Sequence, residues 1–146
     1  MSLSSKLIRR VIARTESWPL VRPFAISRGV KTQADVVVVE ISEGGYSGRG
    51  ECVPYPRYNE TVGGVVSEIE TIIPQLKRGI DRVALAAIMP AGAARNAVDN
   101  ALWDLEAKST QKRAWDIARI CAPKPSITAE TIGLGTIDEM ASAARR

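Results

Sequence analysis

Ile127-Thr128-Ala129-Glu130-Thr131-Ile132-Gly133-Leu134-Gly135 reads as a β-strand, and Thr136-Ile137-Asp138-Glu139 opens a helix that runs on to Arg146. A strand followed by a helix is the first half of a βαβ unit, and a parallel strand requires a neighbour in the same sheet. No later segment of the 146 residues offers one. The expectation is a second architecture that is only begun in this chain. Just upstream, Pro123-Lys124-Pro125 is a rigid hinge where the composition changes.

Before the hinge the pattern is different. Lys6 to Thr15 has strand character, with Leu7, Val11 and Ala13 among polar residues. Ser17 to Thr32 carries Pro19, Pro23 and Gly29, and reads as a long irregular link. Ala34 to Ser42 holds the run Val36-Val37-Val38-Val39, typical of a strand buried on both faces. Glu43-Gly44-Gly45 is a turn, and Tyr46 to Glu51 returns as the hairpin partner. A loop with Pro54, Pro56, Tyr55 and Tyr58 follows from Cys52 to Glu60. Thr61 caps a helix expected to reach Ile73 and stop at Pro74, and Asp81 caps a short one through Met89. Ala94, Ala97, Val98, Ala101, Leu102 and Leu105 form one apolar stripe on a longer helix, its small residues suited to close packing. Ala114 to Ile120 is a last short helix. The order predicts an α+β domain over residues 1–125, a three-stranded antiparallel sheet followed by helices, with residues 126–146 belonging to the next architecture.

Composition narrows the chemistry. The net charge of +4 comes from Lys and Arg scattered along the chain, without the basic stripe that nucleic acid requires. No segment approaches the roughly 18 apolar residues of a membrane span, and the N-terminus lacks an apolar signal core, so a cytoplasmic setting is expected. Cys52 and Cys121 lack metal spacing and read as two buried thiols rather than a disulfide. Histidine is absent, which removes Ser-His-Asp and Cys-His nucleophile systems and most catalytic zinc sites.

The short motifs are individually weak. Gly48-Arg49-Gly50-Glu51 lacks the ending of a phosphate loop and reads as a strand edge with backbone freedom. Gly133-Leu134-Gly135 precedes a helix, where either an anion could approach or a plain βα turn suffices. Asp99 and Asp104 lie about 500° of rotation apart and do not share a helix face, so with Asn96 and Asn100 they read as a solvated or hydrogen-bonded surface rather than metal ligands. Arg28 stands in the apolar tip Pro23-Phe24-Ala25-Ile26-Ser27-Arg28-Gly29, and its guanidinium suits bidentate recognition of a carboxylate. The two long loops together hold Trp18, Phe24, Tyr55 and Tyr58, a composition common in binding elements.

Taken in order, Pro23-Phe24-x-Ile26-x-Arg28-Gly29, Val36–Glu40, Gly48-Arg49-Gly50-Glu51-Cys52-x-Pro54-Tyr55-Pro56-Arg57-Tyr58, Ala91-Gly92-Ala93-Ala94-Arg95-Asn96-Ala97-x-Asp99-x-Ala101-Leu102-Trp103-Asp104-Leu105 and Thr128-Ala129-x-Thr131 resemble the capping domain of the enolase superfamily. Within it, the likeness is to the dipeptide epimerases of the muconate-lactonizing subgroup, of L-Ala-D/L-Glu type, and runs from about Leu7 onward. The resemblance implies a cap that closes over the C-terminal mouth of a (β/α)7β barrel, where barrel active sites lie. It implies proton abstraction α to a carboxylate, with magnesium stabilising the enediolate and two lysines as bases on opposite faces. The implied substrate is an Ala-Glu or related dipeptide from cell-wall peptide turnover, and the full-length enzyme is expected to be a homo-oligomer. By position, Arg28 resembles the loop arginine that meets the substrate's side-chain carboxylate, and Thr131 a residue at the substrate's edge. Phe24, Ile26 and Tyr58 fall in the two loops that shape specificity.

The same resemblance places the lysine bases, the acidic magnesium ligands and the acidic pair for the dipeptide ammonium beyond Arg146. Lys108, Lys112 and Lys124 lie in the cap or hinge and do not substitute for those bases. No catalytic residue and no metal ligand is therefore expected within these residues. A muconate cycloisomerase or o-succinylbenzoate synthase would share the cap. A stand-alone α+β binding module is the non-enzymatic alternative, opposed by the unpaired edge a lone strand would expose.

Overall fold

The computed structural model describes residues 9–27 and 29–145. Three strands come first, β1 Arg10–Ile26, β2 Gly29–Glu43 and β3 Tyr46–Cys52, in the order β1-β2-β3. Helices α1 Val62–Lys77, α2 Arg82–Ile88, α3 Ala93–Thr110, α4 Ala114–Ile117 and α5 Ile137–Ala144 follow. The chain divides into two units, one of residues 1–16 and 35–122, the other of residues 17–34 and 123–146.

In the first unit, β2 and β3 pair antiparallel from Val37 opposite Cys52 to Glu43 opposite Tyr46. Gly44 and Gly45 turn between them with φ of 59° and 84°, the positive pair that a tight hairpin turn needs. Val37, Val39 and Ile41 face the helices and join one core with Val65, Ile69, Leu76, Leu85 and the α3 stripe. Val36 and Val38, on the other face, are buried as well, as the valine run predicts. All six residues of the α3 stripe are buried.

Gly48 and Gly50 are where this packing is decided. A Cβ on Gly48 would fall on the Ala101 carbonyl and the Leu105 backbone, and one on Gly50 on the Ala97 carbonyl and 2.9 Å from Asn100 Cβ. The expected role of backbone freedom is thus corrected: these glycines exist so that β3 and α3 can touch backbone to backbone. The same helix closes the open edge of β3. Lys108 Nζ donates to Ser47 O at 2.9 Å, Asp104 Oδ2 accepts the Arg49 N–H at 2.8 Å, and Asn96 Nδ2 donates to Glu51 O at 3.2 Å. Every second residue of an edge strand points its backbone outward, and one ridge of α3 spaced by four and eight residues meets those groups.

Several sequence expectations change. Ser17–Thr32 is no irregular link: β1 runs through Pro19 and Pro23 to Ile26, and β2 begins at Gly29. β1 is an edge strand, the position in a sheet to which proline is confined. Pro74 does not end α1, which continues to Lys77, because a proline in the last turn forfeits one bond while Arg78 N–H still closes onto Gln75 O at 3.0 Å. α4 stops at Ile117 rather than Ile120, with Arg119 in the left-handed region at φ 57°. Cys52 is buried but Cys121 is exposed, in a segment after α4 that buries no side chain.

In the second unit, Ile127–Gly135 forms no strand: among the described residues it meets the end of β1 through one backbone bond, Leu134 N–H to Ala25 O, and one bond does not make a ladder. The helix expected after it is present, with a full capping box: Thr136 Oγ1 accepts from Glu139 N–H and Glu139 Oε2 accepts from Thr136 N–H at 2.7 Å.

Candidate functional site

The candidate residues fall in both units. In the second, Phe24 and Ile26 stand half-buried at the end of β1, flanking Ala25. Ala25 O accepts the Leu134 N–H at 2.8 Å, which ties the 127–135 segment to this strand end. Gly133 passes over the Phe24 ring, where a Cβ would sit 3.6 Å from Phe24 Cδ2. Thr131 is exposed two residues before that contact. Phe24, Ile26 and the Thr131 segment are therefore brought together, and Arg28 lies outside the described residues. The α5 N-terminus does not await an anion. Its own Glu139 carboxylate occupies that position against Thr136, and those two contacts hold Glu139 below the ordinary glutamate range.

In the first unit, the Cys52–Glu60 loop is built around a single helical turn, Pro56–Tyr58. Tyr58 N–H and Glu60 N–H both donate to Tyr55 O, at 2.9 and 3.3 Å, and Asn59 closes the turn in the left-handed region at φ 60°. Asn tolerates that conformation better than most side chains. The Tyr55 and Tyr58 rings stand 6.4 Å apart, and Tyr58 is 71% exposed. They border a groove of about 490 Å³ together with Glu60, Asn96 and Cys52.

Glu60 is the residue that sequence reasoning missed. Its Oε2 accepts the Tyr55 N–H at 3.0 Å and its Oε1 the Ala93 N–H at 2.7 Å. The Tyr55 bond first, then the Ala93 bond, holds this carboxylate below its ordinary range. One signal was available: α3 begins after Gly92, which has no side chain to cap it, so its first N–H groups are open to an acceptor from outside the helix. Beside it, burial pushes the Cys52 thiol up to about 11, with the Glu60 charge adding to the shift.

Asp104 is engaged with Arg49 and Lys108, as the reading of a hydrogen-bonded helix face expects. Among the described residues no group of three or more Cys, Asp and Glu side chains could hold a metal ion. No described helix is long and apolar enough to cross a membrane.

Residues 8–117 match the family described as Mandelate racemase / muconate lactonizing enzyme, N-terminal domain. The L-Ala-D/L-Glu epimerase of Escherichia coli (strain K12) is 49% identical over 137 residues, 94% of this chain and 43% of that protein. Among solved structures, an enolase family member from Agrobacterium tumefaciens with homology to dipeptide epimerases, holding sodium and L-Ala-L-Glu, superposes with TM-score 0.85 at 47% identity. It is matched over 92% of this chain and 41% of that one. A dipeptide epimerase from Methylococcus capsulatus complexed with Mg and L-Arg-D-Lys gives TM-score 0.75 at 30% identity, over 95% of this chain and 42% of that one. The chain spans less than half the length of these relatives.

Proposed function

Because this chain belongs to the mandelate racemase / muconate lactonizing enzyme family, within the enolase superfamily, we propose that it is the N-terminal, substrate-capping part of a magnesium-dependent dipeptide epimerase of L-Ala-D/L-Glu type. The observation that carries this reading is 49% identity to the E. coli epimerase across 94% of the chain. Residues 1–125 are the cap and residues 126–146 the beginning of the barrel. The parent enzyme is a cytoplasmic homo-oligomer acting on dipeptides released in cell-wall peptide turnover.

The cap's contribution is recognition. Arg28 holds the substrate's side-chain carboxylate, Phe24, Ile26 and Tyr58 shape the pocket around it, and Thr131 borders the substrate from the barrel side. A guanidinium carries a fixed positive charge and a planar fork, so it attracts a Glu side chain and repels a basic one. The described residues of this chain do not themselves fit a magnesium ion. Abstraction and return of the α-proton belong to the lysines of the barrel.

A chimaera tests the reading: residues 10–146 of this chain joined to the remainder of the E. coli epimerase. It should epimerise L-Ala-L-Glu and discriminate against L-Arg-D-Lys. Arg28→Ala should raise KM for the acidic dipeptide roughly 10- to 100-fold, the loss expected of a charge-assisted pair. A chimaera preferring the basic dipeptide, or indifferent to Arg28→Ala, would overturn it. The 146 residues alone should exchange no α-proton of L-Ala-D-Glu in deuterated water.

A further inference from the structure

We propose that Glu60 is the positioning residue of the Tyr55–Asn59 loop, latching it to the first turn of α3 and so fixing where Tyr58 meets substrate. The consequence of this latch for substrate rests on the reading of Tyr58 above.

Tyr58 is 71% and Tyr55 47% exposed, so apolar burial does not fix their rings. Directional bonds converge on Tyr55. Its carbonyl accepts from Tyr58 and Glu60, and its N–H is taken by the Glu60 carboxylate. Fixing Tyr55 therefore fixes the turn that carries Tyr58.

The other carboxylate oxygen reaches Ala93, 33 residues further on. The N–H groups of a first helical turn have no partner within the helix, and the positive end of the helix favours a carboxylate there. Gly92 supplies no side-chain cap, so Glu60 fills that role from outside. One carboxylate thus satisfies two backbone donors on two elements. α3 is in turn the element whose alanines press on Gly48 and Gly50. The latch refers a solvent-exposed loop to a rigid part of its unit.

Arg57, exposed within the loop, makes the state of the latch readable by trypsin. In this chain Glu60→Ala should raise the rate of cleavage after Arg57 about tenfold, the increase in local opening expected from losing charge-assisted bonds. Cleavage after Arg78 and exchange of the β2 amides should stay unchanged. Glu60→Gln should fall between, because an amide keeps one acceptor but sets an NH2 against the other donor. In the unmodified chain, the amides of Tyr55 and Ala93 should exchange together. Parallel acceleration at Arg57 and Arg78, or separate exchange of those two amides, would overturn the latch. In the chimaera, Glu60→Ala should raise KM for L-Ala-L-Glu severalfold with kcat little altered, and Tyr58→Ala should do the same. If Glu60→Ala opens the loop but neither variant moves KM, the substrate role of Tyr58 is overturned while the latch stands.

Discussion

Gly50 has no room for even one carbon. Its missing Cβ would overlap the Ala97 carbonyl and crowd Asn100, both on a helix that is itself packed against the core. Neither neighbour is the loose end of a side chain, so the strain cannot be relieved by a rotamer change. Gly50→Ala should destabilise the chain by about 3 kcal/mol, at the upper end for overpacking, seen as a lower urea midpoint. The glycine's own flexibility works in the opposite direction, since alanine stiffens the unfolded chain by under about 1 kcal/mol. Space decides the sign. A net gain in stability would show that β3 and α3 are not in backbone contact. The two cysteines differ in reactivity. Thiolate is the reactive form, and burial with the nearby Glu60 charge pushes Cys52 to about 11. Cys121 is exposed. Iodoacetamide at pH 8 should therefore label Cys121 within minutes and Cys52 only on denaturation, as read by intact mass.

α5 is eight residues long, too short to be stable by propensity alone. Its capping box carries much of its order. Thr136→Ala should cost the helix about 1 kcal/mol, measured by amide exchange across 137–144. The reciprocal partner gives a pH dependence. Glu139 is held below the ordinary glutamate range by the Thr136 N–H first and its hydroxyl second. A carboxylate depressed in the folded state stabilises above its unfolded pKa, about 4.3, and that contribution is lost as pH falls through the folded value. Exchange in α5 should thus be flat from pH 7 to 5 and accelerate below about 4, after correction for intrinsic rates, and Glu139→Gln should abolish the step. Caps of this sort were legible because Thr61, Asp81 and Thr136 each act on the amide three residues away. So were the valine run and the α3 stripe, whose periodicity is local. The illegible parts depend on distant neighbours. Nothing near Pro19 or Pro23 says that the strand continues at a sheet edge. Nothing near Glu60 points to Ala93. Gly48 and Gly50 look like flexibility until the helix that occupies their missing side chains is known. For the site, Phe24, Ile26 and the Thr131 segment do converge, through Leu134 N–H on Ala25 O.

The two units differ in what holds them. Every buried side chain among the described residues lies in the first unit, from Arg9 to Leu105. The described residues of 17–34 and 123–145 bury none, and Val21, Val30, Ile127 and Ile137 are more than half exposed there. Backbone hydrogen bonds without a core give little resistance to local opening. Amides of 17–34 and 123–145 should exchange within minutes while those of 36–41 and 97–105 remain protected for hours. The chain spans 43% of the E. coli epimerase. If Ile127–Gly135 is the first strand of a barrel, the remainder of that relative, added as a separate polypeptide, supplies the neighbour its ladder lacks. Protection should then appear in 127–135 together with 137–144, with the rates in 36–41 unchanged. Mass-spectrometric exchange before and after mixing reads both. Protection confined to 17–34, with 127–135 still open, would mean that the segment is a connection to the barrel rather than its first strand.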